Sequence, residues 1–130
     1  KNPAPEDFSS VMSARLVTDQ ADRKVTGTII GQNIPRIIGI DDFSLEMSPE
    51  GPIMIIFNND RPGVIGAVGT ICGKHKINIG TMGVGRVKDQ NRAILAISMD
   101  AAPDEKAIEE FKKQDFVKQV YICELPNGNH

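Results

Sequence analysis

The run Asn58-Asn59-Asp60-Arg61-Pro62-Gly63 holds the residues best suited to grip a small molecule. It separates an unbroken apolar stretch, Ile53 to Phe57, from a segment where Val64, Ile65, Val68, Ile71 and Cys72 recur at helical spacing. A loop that opens onto a helix start presents backbone N–H groups with no intrahelical acceptor, and the helix dipole adds to their pull on an anion. Asp60 stands where an N-cap belongs, Pro62 suits the first turn because it has no N–H to satisfy, and Gly63 removes a side chain from where a ligand approaches the backbone. A ligand carboxylate suits that seat. The Asp60 carboxylate or the Asn58 amide suits an ammonium, so together they fit a zwitterion such as a free amino acid. The same residues also fit a plain connection in which Asp60 only caps the helix. Asn78, between Ile77 and Ile79 just past the helix, has two donors and an acceptor to satisfy. It fits either a ligand contact or a turn hydrogen bond at a strand start.

Other chemistries find no support. Gly69 to Lys74 is one residue too short for a phosphate-binding P-loop, and His75 stands where that loop needs a hydroxyl. No strand–GxGxxG–helix unit occurs, so no dinucleotide site is expected in this chain. Cys72 and His75 have C-x-x-H spacing without a second ligand pair, and Cys72 falls on the apolar helical face, so no metal site is expected. No Ser/His/Asp set or paired carboxylates stand out, and no catalytic residue is assigned.

The elements that must position the loop come in two textures. From Ser10 to Met47 the pattern is strand-like: Met12, Ala14 and Leu16 alternate, Asp19 to Arg23 is a polar turn, Lys24 to Ile30 is a second strand broken by Gly31, Asn33 and Pro35, Arg36 to Ile40 is a third, and Phe43, Leu45 and Met47 alternate along a fourth after an Asp41-Asp42 turn. Such an antiparallel meander buries one face and needs a cover. With no helix in this half, the cover is expected from a missing layer of a larger domain or from a partner. Ser48 to Pro52 forms a boundary, and residues 1–8 read as a flexible lead-in. The second half gives strand (Ile53 to Phe57), helix (Pro62 to His75), strand (Ile77 to Val87), strand (Ala93 to Met99), helix (Pro103 to Lys113) and strand (Val117 to Glu124). The fold class is therefore α+β: an antiparallel strand meander followed by a ferredoxin-like βαββαβ unit, with both helices on one face of its sheet and the other face needing a cover. Gly66, Gly69 and Gly73 weaken the first helix and are expected to allow close packing on the sheet or on a neighbouring subunit.

Composition narrows the partners. With 15 basic and 17 acidic side chains in 130 residues the net charge is −2, which gives nonspecific nucleic-acid binding no electrostatic drive. No apolar run is long enough to span a bilayer, and no signal-peptide pattern opens the chain. The two cysteines cannot form a disulfide framework, so a cytoplasmic location is the default expectation. A first residue of Lys1 points to a fragment or processed product.

Asn59-Asp60-Arg61-Pro62-Gly63-Val64-Ile65-Gly66, followed by Lys76-Ile77-Asn78-Ile79, resembles the ACT domain, a small regulatory module that binds amino acids. Val25 to Gly31, Pro35 to Ile40, Phe43 to Met47 and Met82-Gly83-Val84-Gly85-Arg86 are similar to the intervening and ACT domains of long-form D-3-phosphoglycerate dehydrogenases. The resemblance implies that residues 1–51 are the end of the intervening domain and residues 52–130 an ACT domain. It implies an L-serine-binding allosteric fragment of the NAD-dependent enzyme that opens L-serine synthesis, with no cofactor in the fragment and NAD held elsewhere in the parent. It also implies a homodimer or tetramer formed through pairing of ACT sheets. Asp60 would take the ligand's ammonium or hydroxyl, the backbone from Arg61 through Pro62 and Gly63 to Val64 its carboxylate, and Asn78 would reach in from the neighbouring subunit. Asn58 falls where some relatives carry His or Tyr. The β subunit of L-serine dehydratase, whose partner is an iron–sulfur enzyme, is similar across both halves, including the run Ile77 to Met82. A purely structural dimerisation module is the third reading.

Overall fold

The computed structural model describes residues 10–17, 22–30 and 34–123. Strands β1 (Ser10–Val17), β2 (Asp22–Ile30), β3 (Ile34–Ile40) and β4 (Phe43–Met47) form one antiparallel sheet in sequence order. Asp22 and Arg23 belong to β2 and pair with Val17 and Leu16, although their polarity suggested a turn. Pro35 lies within β3 rather than ending a strand. The β4 pairing reaches only Met47, opposite Ile37, so Pro35 has one neighbouring strand, and proline is tolerated there. The Asp41-Asp42 turn forms as expected, with Asp41 at φ 52° and its carboxylate accepting from the Lys24 N–H at 3.0 Å. The expected lead-in, the core of the first turn and the break at Gly31 and Asn33 fall outside the described residues.

The second half runs β5 (Ile53–Asn59), α1 (Val64–Lys74), β6 (Ile79–Val87), β7 (Arg92–Met99), α2 (Glu105–Lys112) and β8 (Val117–Cys123). A single 3₁₀ turn, Lys88–Gln90, joins β6 to β7. The sheet order is β6-β7-β5-β8 with every pairing antiparallel, the ferredoxin-like arrangement. Both helices are shorter than their apolar spacing suggests. Gly63 takes φ 90°, so α1 cannot begin before Val64. The Asp104 carboxylate accepts from the Ala107 N–H at 2.9 Å, which makes Asp104 the cap and starts α2 two residues past Pro103.

Strand alternation gives the second sheet two apolar faces. Met54, Ile56, Leu95 and Ile97 pack under the helices with Val68, Ile71, Cys72, Ala107 and Phe111. Ile53, Ile55, Ile94, Ala96 and Tyr121 pack instead against Val25, Ile37, Ile40, Phe43, Leu45 and Met47 of the first sheet. The expectation that the meander's cover lies in a missing layer or a partner is thus corrected: the two halves cover each other. The reason is visible in β5 and β7, where four successive residues of β5 and seven of β7 are buried. A strand buried on both faces demands two layers. The contact is tightest where β4 meets β6. A Cβ on Gly83 would lie 2.7 Å from Leu45 Cδ1, and one on Gly85 2.9 Å from the Ser44 carbonyl oxygen.

Candidate functional site

The last residues of β5 deliver the loop. Asn58 continues the Met54–Ile56 row and so sits on the helix side of the sheet. Gly63 then turns the chain in the left-handed region, where a side chain would be strained, although the space around it is open. The helix start that results is bare: no described side chain caps it, and its first turn holds no acidic residue. The Ala67 N–H is bonded to the Gly63 carbonyl at 2.9 Å. The N–H groups of Val64, Ile65 and Gly66 precede the first intrahelical bond and keep their capacity to donate outward.

Asp60 does not cap α1, which corrects the sequence reading. Gly63 moves the helix start too far along for its side chain to serve. Both Asp60 carboxylate oxygens instead accept from Arg86 Nε at 3.0 Å, and its N–H donates to the Asn91 carbonyl. The pair spans the wall of a cleft of about 390 Å³ lined by Asn58, Asp60, Arg61, Pro62, Gly63 and Val64 from the loop and helix, and by Val84, Arg86, Ala93 and Leu95 from the sheet. Six of the seven residues selected from the sequence therefore come together. Arg61 contributes backbone to it, because its guanidinium turns away to Asp115 Oδ1 at 2.6 Å and over the Phe116 ring. Ile65 and Val84, half exposed, also line the cleft.

Asn58 is 4% exposed. Its Nδ2 donates to the Asn59 carbonyl at 2.8 Å, while its buried Oδ1 has no partner among the described residues. The amide cannot be reversed, since the Asn59 oxygen only accepts. A buried acceptor left unmatched costs about 1–3 kcal/mol.

Asn78 lies apart from the cleft. Its Nδ2 donates to Asp100 Oδ2 at 2.7 Å, and the Asp100 N–H returns a bond to its carbonyl at 3.2 Å. Arg86, which sequence reasoning did not select, completes the site. The alternation in Met82-Gly83-Val84-Gly85-Arg86 was the available signal, since it sets 82, 84 and 86 on the face opposite the two glycines. Gly66, Gly69 and Gly73 do not pack on the sheet: a Cβ at any of them meets nothing within 4 Å. Cys72 is buried in the helix-side core and His75 Nε2 meets Glu110 Oε1 at 2.7 Å. Burial pushes both thiols up, Cys123 to about 11, which keeps them protonated and unreactive near neutrality. Among the described residues no group of three potential metal ligands converges, and no helix is long and apolar enough to cross a membrane.

A βαββαβ unit with its cleft at the start of the first helix defines a class, and the chain carries an ACT domain: residues 53–116 match that family. Beyond that segment, the chain as a whole is homologous to D-3-phosphoglycerate dehydrogenases. It is 33% identical over 119 residues to the Bacillus subtilis enzyme, covering 92% of this chain and 23% of the relative. It is 34% identical over 116 residues to the Methanocaldococcus jannaschii enzyme, covering 87% of this chain and 22% of the relative. The chain thus spans under a quarter of the length of these dehydrogenases, and its ACT domain is homologous to their regulatory region. It is also 28% identical over 102 residues to a probable L-serine dehydratase β chain of Bacillus subtilis, covering 78% of this chain and 46% of that relative.

Proposed function

We propose that this chain is the amino-acid-sensing part of an NAD-dependent D-3-phosphoglycerate dehydrogenase, with L-serine as its effector. The observation that carries the reading is a bare helix start and a carboxylate, Asp60, on the walls of one cleft. The open amides receive the effector's carboxylate and Asp60 its ammonium, the complement of a zwitterion. Residues 1–51 form the end of the intervening domain and residues 52–130 the ACT domain. NAD chemistry belongs to another part of the protein, which works in the cytoplasm. Two copies pair through their ACT sheets. Among the described residues β6 has only β7 beside it, and the half-exposed Ile65 and Val84 give the cleft an apolar lining that a second copy covers. Asn78, remote from its own copy's cleft, then serves the neighbour's. Binding shifts the assembly only by its differential affinity for two subunit arrangements.

A second reading, a β chain of L-serine dehydratase, is favoured by the larger share of that relative which the chain covers. The test of amino-acid sensing is calorimetric titration of the chain with L-serine, repeated on Asp60→Ala. The wild type should give saturable heat, and the variant should bind about ten- to a hundredfold more weakly, as expected for a lost charge-assisted contact. No heat and no thermal shift at millimolar L-serine would remove the reading.

A further inference from the structure

Phe43, at the start of β4 in the first sheet, stands directly behind the cleft. Its buried ring meets the Phe57 ring edge-to-face, with centroids 6.0 Å apart, and carries the Arg92 guanidinium at 4.8 Å. Gly85 leaves room for it, since a Cβ there would lie 3.1 Å from Phe43 Cβ. Phe57, Arg92 and Gly85 belong to the neighbouring strands β5, β7 and β6. Each is next in sequence to a residue of the cleft: Asn58 after Phe57, Ala93 after Arg92, and Val84 and Arg86 on either side of Gly85. Successive side chains on a strand point to opposite faces, so Phe43 and the cleft share one stretch of sheet from its two sides. The register gives the same placement. Asn58, Ala93 and Arg86 pair as one row across the sheet, flanked by the row Phe57, Ile94 and Gly85 and by the row Asn59, Arg92 and Val87. Phe43 touches both flanking rows from the far side, beneath the row that walls the cleft.

We propose that Phe43 is a positioning residue for the cleft: pressed against these three strands from behind, it fixes the spacing of the row that walls the cleft, so that the first sheet sets the affinity for the amino acid. The inference rests on the amino-acid reading above and goes beyond it, because Phe43 does not line the cleft and lies in the other half of the chain. Close-packed contacts pass a displacement on rather than absorb it. Packing and binding are then reciprocally linked: what loosens Phe43 weakens binding, and the arrival of a ligand is felt at Phe43.

The experiment is a ¹⁵N–¹H titration of the full chain with L-serine, on the wild type, Phe43→Leu and Ile37→Val. Ile37, buried in the same inter-sheet core but on β3, controls for lost packing alone. In the wild type the Phe43 and Ser44 amides should shift with the same midpoint as those of Val64 and Ile65. Phe43→Leu should bind L-serine about five- to tenfold more weakly. Ile37→Val should stay within about twofold of the wild type. Saturable shifts at the cleft with Phe43 and Ser44 unmoved overturn this inference and leave the amino-acid reading standing. Wild-type affinity in Phe43→Leu, or an equal loss in both variants, does the same. If the wild type binds no L-serine, both fail together. If Phe43→Leu does not fold, Arg92→Met takes its place, stripping the cation from the ring: weaker binding is expected, and unchanged binding overturns the inference.

Discussion

The two ends of α1 differ in how the chain treats them. At the C-terminal end Lys76 turns through φ 59°, its N–H bonds the Gly73 carbonyl at 3.1 Å, and the Ile77 N–H bonds the Cys72 carbonyl at 2.8 Å. That pattern is a Schellman closure, and Ile77 packs against the helix-side core to complete it. Lys74 and His75 then clasp Glu110 of α2. At the N-terminal end no described side chain caps the helix and no acid of its first turn offsets its dipole, and the nearby Asp60 accepts from Arg86 rather than from the helix. One end satisfies itself from within the fold, while the other leaves its donors for something outside. On the proposed reading, the contrast separates a structural terminus from a binding one on hydrogen bonding alone.

The contrast holds only if the open end contributes little to holding the fold, so the benchmark is a substitution that damages packing. Gly85→Val drives a side chain into the Ser44 carbonyl oxygen and Phe43 Cβ, and it should cost about 1–3 kcal/mol or more in denaturant unfolding. An unchanged midpoint would mean that β4 and β6 do not meet as described.

The next substitution converts the open end into a closed one. Gly66→Glu places an acid in the bare first turn, where a Cβ meets nothing. It should stabilise the fold by about 1 kcal/mol through dipole and propensity. The same carboxylate should compete with the ligand's, so affinity for L-serine should fall as stability rises. A gain in both would break the contrast.

The smallest effect lies at the closed end. The hydrogen bond from His75, then that from Lys74, holds the Glu110 carboxyl below its ordinary value of 4.5. A lowered folded-state pKa means that the native chain binds fewer protons, so this contribution is present above pH 4.5 and is lost as pH falls through the folded value. Wild type should therefore lose a little stability on acidification below that point relative to Glu110→Gln, with no change in L-serine affinity at neutral pH. Identical acid profiles would contradict the clasp.

Much of this was legible in the residues. Period-two alternation marked strands of the first sheet, the unbroken apolar run Ile53 to Phe57 marked β5, and the apolar spacing marked both helices. Their starts were misplaced, because spacing does not reveal that Gly63 takes φ 90° or that Asp104 caps. The loop was legible as a site because Asn58 to Val64 are contiguous, whereas Arg86 is brought in by the β6–β7 hairpin from 26 residues beyond Asp60. The mutual covering of the sheets escaped for a related reason. The meander needed a cover and the second sheet had a bare face, but which surface meets which is a tertiary choice. Gly83 and Gly85 mark it only once β4 is seen against them.

The most direct test follows the amides themselves. In a ¹⁵N–¹H titration with L-serine, the resonances of Val64, Ile65 and Gly66 should shift saturably, while those of Lys76 and Ile77 at the closed end of α1 stay in place. Saturable binding that leaves the three first-turn amides unmoved would contradict the claim that this helix start receives the ligand's carboxylate.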